Sequence, residues 1–245
     1  MTTNYDTITE EYQQAKLQPW RHHIESFTLM GLAGDLRGKA VVDLACGDGY
    51  YTRLLRKNGA ARVIGVDLSE GMVNLARAQE AANPLGVEYL VGDGRNLELP
   101  PEHDLVVAAY LLNYARDREE LAAMCRGVAG CLKPGGRFVT VNTNPGLDFR
   151  TAPSYRRYGF ETHTGADRHE GAPITWTFFL ESGPLSIENY YIGRTAHDEV
   201  LHSAGFREVR WHRPRLAHTA RRTRDRDYWA TFLAAPPVIF IECLK

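Results

Sequence analysis

Three acidic residues and a pair of glycines carry the chemistry open to this sequence. Asp43 heads the turn Asp43-Leu-Ala-Cys-Gly-Asp-Gly49, which follows the short apolar run from Ala40. A strand that ends in a glycine-rich turn and opens a helix makes a ligand site. Its small residues let the backbone approach a ligand, and the helix N-terminus offers unpaired N–H groups. A turn with no ligand would have the same composition, so its surroundings must decide. Asp67 stands 24 residues on, in VIGVDLS, where an acid can accept hydrogen bonds from both hydroxyls of a ribose. It could equally cap the following helix, as could Ser69. Asp93, in LVGDGRNL, could receive the amino group of an adenine, with Leu68 and Met72 on either side of the ring.

These residues suit an adenosine-type ligand, and the turn itself says which kind. Dinucleotide sites use G-x-G-x-x-G, with a third glycine for helix–strand packing. Here Gly47-Asp-Gly49 is followed by Tyr50, Tyr51 and Thr52, so the third glycine is absent. Asp43 would also set a negative charge toward a pyrophosphate. A ligand with a sulfonium and an ammonium group suits an acidic turn far better.

The elements that must hold these residues follow from apolar runs and their punctuation. The first 38 residues read as helical, broken at Pro19, with Ile8/Tyr12 and Ile24/Phe27 at helix-face spacing. Strands are expected at 40–44, 62–66, 87–91, 105–109 and 137–141. Helices are expected to start near Tyr51 and to cover 69–82 and 118–132, with LKPGG as a turn. Such alternation indicates a parallel sheet covered on both faces. After Pro145 the pattern changes to an antiparallel hairpin, ITWTFFL and LSIENYYI joined by ESGP. A helix at 195–204 and strands at 208–211 and 238–243 follow, separated by a basic, loop-like 213–226. The expected fold class is α/β: a Rossmann-like, doubly wound, mostly parallel seven-stranded sheet with an N-terminal helical cap and a hairpin inserted after the fifth strand. The chain reads as one domain, 1–245. Within it, 1–38 is the cap, 39–145 the cofactor-binding core, 146–194 the substrate-side insertion and 195–245 the completion of the sheet.

The blocks DLACGDGYYTRLL, GVDLSEGMVNLARAQE, YLVGDGRNL, HDLVVAAYLLNYA and LKPGGRFVTVN, in this order and spacing, resemble class I S-adenosylmethionine-dependent methyltransferases over residues 38–145. The resemblance implies an enzyme with S-adenosylmethionine as cofactor and S-adenosylhomocysteine as product. It implies that Asp43, Ala45, Cys46, Gly47, Gly49 and Tyr51 surround the methionine portion and Asp67 the ribose. Leu68, Met72, Gly92, Asp93 and Gly94 would surround the adenine, with Ala109 and Tyr110 near the transferring methyl. Ala45 departs from the family, which most often has glycine there. The overall layout further resembles small-molecule methyltransferases of secondary metabolism, including the toxoflavin-type azapteridine N-methyltransferases.

The acceptor must be sought beside Tyr110. Aromatic residues of the cap (Tyr5, Tyr12, Trp20) and of the hairpin (Trp176, Tyr190) could wall a flat heteroaromatic substrate, or could simply pack on the sheet. A neutral nitrogen nucleophile needs no base. If one is used, His22, His23, Asn113 and Tyr114 are candidates, with Tyr110, Asn113 and His22 the preferred positioning or catalytic set. No N-P-P-Y-like motif follows the fourth strand, and no cysteine follows a proline, which argues against DNA-base methylation. The formal net charge of −1 gives no basic footprint for nucleic acid. No metal ligands cluster in the sequence. The four cysteines form no C-x-x-C pair and are expected to be reduced and buried, as in a cytoplasmic protein. Neither a signal-peptide core nor a membrane span is expected, and the protein should be a monomer or homodimer. Two other functions remain open: a tRNA or protein methyltransferase docking through 213–226, and a non-catalytic module that only holds the cofactor.

Overall fold

The computed structural model describes residues 9–222, 224 and 226–245. Seven strands form one sheet in the order β3-β2-β1-β4-β5-β10-β9. They are β1 (Ala40–Leu44), β2 (Arg62–Asp67), β3 (Glu88–Val91), β4 (His103–Ala109), β5 (Leu132–Thr143), β9 (Glu208–His212) and β10 (Val238–Leu244). Strands β3, β2, β1, β4 and β5 are parallel, while β10 runs antiparallel to both β5 and β9. The order reverses between β1 and β4. In open α/β sheets such a switch point leaves a crevice beyond the carboxyl ends of the strands, where ligands bind.

Helices α3 (Tyr50–Lys57), α4 (Glu70–Ala82), α5 (Arg118–Cys131) and α6 (Arg194–Ser203) cover the sheet. Strands β1 and β4 are buried along most of their length, as parallel strands covered on both faces must be. Ser69 caps α4 by accepting the Met72 N–H at 3.1 Å, and Asp117 caps α5 by accepting the Glu120 N–H at 2.8 Å. Among the described residues no helix is long and apolar enough to cross a membrane. All four cysteines are free and buried.

Three features differ from the sequence reading. LKPGG is the opening of β5: Leu132 already pairs with His103, and the register shifts before Leu105 meets Arg137. The insertion is a three-stranded antiparallel sheet, because β6 (Phe160–Thr164) joins the expected hairpin of β7 (Pro173–Leu180) and β8 (Gly183–Tyr190). The stretch read as a basic loop gives way to a helix, α7 (Arg226–Ala234), whose Trp229 and Phe232 are fully buried.

The cap consists of α1 (Thr9–Lys16), a π-helix (Arg21–Ser26) and α2 (Phe27–Ala33). Short π segments often mark functional sites. Trp20 anchors this cap at 1% exposure, with its ring 5.2 Å from Phe160 and 5.4 Å from Phe232.

Candidate active site

The carboxyl ends of β1, β2, β3 and β4 enclose a cavity of about 300 Å³. Gly47, Asp67, Gly92, Asp93 and Gly94 line it, with Leu68, Met72, Leu111 and Met124 as its apolar walls. Asp67 shapes this cavity as well as facing it. Its carboxylate accepts the Gly47 N–H at 2.7 Å and the Ser69 N–H at 2.9 Å, so it ties the glycine turn to the end of β2. Asp93 is held in a fork by the Arg95 guanidinium at 2.7 and 3.0 Å, which keeps its carboxyl below the usual range. Leu68 stands 63% exposed at one side while Met72 is buried, so both flank the slot expected for a flat ring.

A smaller cavity adjoins it through Ala45, Ala109 and Tyr110, and is otherwise lined by Lys16, Arg21, Glu25, Cys46, Tyr50 and Tyr51. Here the cap supplies residues that the sequence reading missed. Glu25 is 2% exposed and accepts hydrogen bonds from Tyr51 Oη at 2.8 Å, Arg21 Nη1 at 2.9 Å and Tyr110 Oη. Lys16 Nζ lies 2.7 Å from Asp48 Oδ1 and so fastens α1 to the turn. Burial works against the Asp48 charge, but Lys16 and Gln13 outweigh it and hold the carboxyl below its usual range. The one clue in the sequence was the i,i+4 spacing of Arg21 and Glu25. Together Lys16, Arg21 and Glu25 offer both signs of charge, as the zwitterionic head of an amino acid requires.

Asp43 does not face either cavity. It is 1% exposed, accepts from Thr52 Oγ1 at 2.6 Å, and leaves Oδ1 without a partner. Burial pushes its carboxyl up to about 7, against the opposing pull of Thr52 and Lys16. Glu25, and not Asp43, is the acid that lines the smaller cavity, which corrects the reading of Asp43 as the acid facing the ligand. An acid whose folded pKa exceeds its unfolded one costs stability as pH rises between the two values. Wild-type stability is expected to fall from pH ~4 to pH ~7 through this group and then level off. The melting-temperature difference, Asp43→Asn minus wild type, should be more positive at pH 8 than at pH 5. The opposite trend would contradict a buried, uncharged Asp43.

Gly49 also stands away from the cavities. Its need for glycine comes from φ +84° and from Tyr89, whose hydroxyl would lie 2.3 Å from an added Cβ. Ala45, by contrast, occupies the left-handed region without being glycine, at φ 60°. Ala45→Gly is expected to relieve this and stabilise the protein by up to about 1 kcal/mol, visible as a raised urea midpoint.

Tyr110 is the junction of the site. It too has a left-handed backbone, φ 66°, fixed by its N–H donating to Val141 O at 2.9 Å. Its side chain lines both cavities above and a third, which is also lined by Trp20, Arg21, Tyr114, Trp176, Phe178, Ile187 and Asn189. This third cavity lies under the second sheet. The Arg21 guanidinium stands over the rings of Trp20, Tyr110 and Phe178 at 4.6, 5.1 and 5.5 Å. Asn113 and Tyr190 line a separate polar cavity beside it, and the Tyr190 hydroxyl donates to Glu188 Oε1 at 2.6 Å. His22 is not brought to the site. It is exposed, its ring stacks edge-on against His23 at 5.1 Å, and it lines none of these cavities. Tyr5 and the Tyr12 side chain lie outside the described residues. In the basic stretch, Arg213 donates to Leu233 O at 2.5 Å, at the end of α7, and Arg215 stands over Phe27 at 5.6 Å. Both stay away from the cavities.

Residues 41–136 match a family described as a methyltransferase domain. N-demethylindolmycin N-methyltransferase of Streptomyces griseus is 28% identical over 176 residues, spanning 69% of this chain and 70% of that protein. Ubiquinone biosynthesis O-methyltransferase of Stutzerimonas stutzeri is 32% identical over 114 residues, spanning 45% of this chain and 47% of that one. Among solved structures, an S-adenosylmethionine dependent methyltransferase from Mesorhizobium loti shares the fold, with a TM-score of 0.65 and 24% identity. That match covers 90% of this chain and 97% of the other. A cavity with Asp67 at the end of β2, an apolar slot beside it and charges of both signs in the adjoining space fits S-adenosylmethionine. Residues 41–136 thus match a methyltransferase domain, set in a fold shared with an S-adenosylmethionine dependent methyltransferase.

Proposed function

We propose that the chain transfers a methyl group from S-adenosylmethionine to a ring nitrogen or oxygen of a flat, heteroaromatic small molecule. The observation that carries this reading is the position of Tyr110, which lines the cofactor cavity, its methionine end and the aromatic cavity at once. In the proposed assignment, Asp67 holds the ribose, and Asp93, Gly94, Leu68 and Met72 hold the adenine. Lys16, Arg21 and Glu25 hold the amino-acid head. Trp20, Trp176 and Phe178 enclose the acceptor. Cap, core and insertion act as one unit, because the acceptor cavity draws residues from all three.

When bound, the cofactor supplies a methyl group on a positively charged sulfur. The chain's own part is positioning: a nucleophile held about 3–3.5 Å from that methyl, in line and without water, needs little further help. Glu25 fixes the Tyr110 hydroxyl, and Tyr110 forms the wall between the two ligands. The buried rings of Trp176 and Phe178 exclude water. A neutral ring nitrogen has a lone pair free for the reaction and needs no base. The Streptomyces griseus relative is by its name an N-methyltransferase of N-demethylindolmycin, which supports a nitrogen acceptor.

Transfer of labelled methyl from S-adenosylmethionine tests the reading, with a panel of bicyclic nitrogen heterocycles set beside bulk tRNA and bulk protein. Label is expected in the heterocycles alone, and lost with Tyr110→Ala. Label in tRNA or protein alone would overturn it.

A further inference from the structure

We propose that Asn113 and Asn142 form the specificity end of the acceptor site, and that the acceptor is a flat ring bearing a lactam edge, a carbonyl next to an N–H. This rests on the small-molecule reading above and narrows it.

Asn113 sits in the short turn after β4 and is 4% exposed, yet neither its Oδ1 nor its Nδ2 has a hydrogen-bond partner. Among the described residues it is the one side chain with two such buried orphan atoms. Asn142, on β5, is 2% exposed. Its Nδ2 donates to Thr140 Oγ1 at 3.2 Å, leaving Oδ1 unpartnered. Buried amide groups are nearly always satisfied, and exceptions point to a missing partner. Both amides line one cavity of about 10 Å³, room for a single carbonyl oxygen or N–H and too small for a ring.

The aromatic cavity lies next door, and its volume of about 20 Å³ must widen as the ring enters. Thr143 lines the polar cavity and donates to Asn189 Oδ1 at 3.1 Å, while Asn189 lines the aromatic cavity. One hydrogen bond therefore forms part of the wall between the two spaces. A third orphan, the buried Nε1–H of Trp176, belongs to a residue of the aromatic wall. An asparagine amide presents a donor and an acceptor side by side, and its complement is an acceptor and donor side by side. A ring among the aromatic side chains could reach the amides with that edge and leave its far side toward Tyr110.

Calorimetric titration of the full chain, saturated with S-adenosylhomocysteine, tests this with two probes of one shape, quinazolinone and quinazoline. Quinazolinone has the lactam edge and quinazoline lacks it. Quinazolinone is expected to bind at least tenfold tighter. Asn113→Ala should bring the two within about twofold, with S-adenosylhomocysteine affinity retained as the check of fold, and Asn142→Ala should narrow the gap in the same direction. Should Asn113→Ala not fold, Asn142→Ala decides. Equal binding of both rings to the wild type would overturn the lactam edge and leave the small-molecule reading standing. A preference that survives both substitutions would show that the amides hold only water. Failure of both rings to bind, with methyl transfer to tRNA or protein, would overturn both proposals.

Discussion

Asp67→Ala is expected to weaken S-adenosylhomocysteine binding by well over tenfold, about 1.4 kcal/mol or more, in a calorimetric titration. In the proposed assignment the ribose hydroxyls donate to this carboxylate, and alanine provides no acceptor. The same carboxylate takes the N–H groups of Gly47 and Ser69, so its loss also loosens the turn that shapes the cavity. Asp67→Asn keeps one acceptor oxygen and should fall between wild type and alanine. Unchanged affinity in Asp67→Ala would remove this residue from the site.

Gly49→Ala is expected to destabilise the fold by about 2–4 kcal/mol, read as a lower urea midpoint with an unchanged slope. Two costs add. The backbone at φ +84° is strained for any residue with a Cβ, and that Cβ would meet Tyr89 Oη at 2.3 Å and its ring carbons at 2.8 and 2.9 Å. Tyr89→Phe removes the nearest of these atoms, so the double variant should recover part of the loss. Residues in contact are not additive, and this pair should show it. A neutral Gly49→Ala would mean that the turn needs no glycine there.

The parallel core was legible because its signals are local. Each strand of the core contains a short apolar run, and β1, β2 and β3 are closed by an acid or a glycine whose chemistry differs from the run itself. Strand β6 was not legible, since Phe-Glu-Thr-His-Thr has only one large apolar residue and gains its structure from pairing with β7. Helix α7 was hidden behind the arginines before it, although Tyr228, Trp229, Phe232 and Leu233 have helical spacing.

In the site, Asp67, Asp93 and Tyr110 could be found because they stand at or just beyond the ends of strands. Glu25 left only its spacing from Arg21, because its role depends on a π-helical segment that turns it beneath Tyr51 and Tyr110. Asp43 was misread for a related reason. Its position beside the turn is visible in the sequence, but its burial is not, and burial is what pushes its carboxyl up to about 7. The glycine turn has also changed meaning: Gly47 lines the ligand cavity, whereas Gly49 serves packing against Tyr89.

The most direct measurement of the central claim is the melting temperature of the full chain with S-adenosylhomocysteine and, in parallel, with NAD. At a hundredfold excess over its dissociation constant, a ligand specific to the fold adds about 2.7 kcal/mol, which for a chain of this size is roughly 5–10 °C. S-adenosylhomocysteine is predicted to give such a rise in the wild type, and NAD none. A rise with NAD and none with S-adenosylhomocysteine would contradict the account.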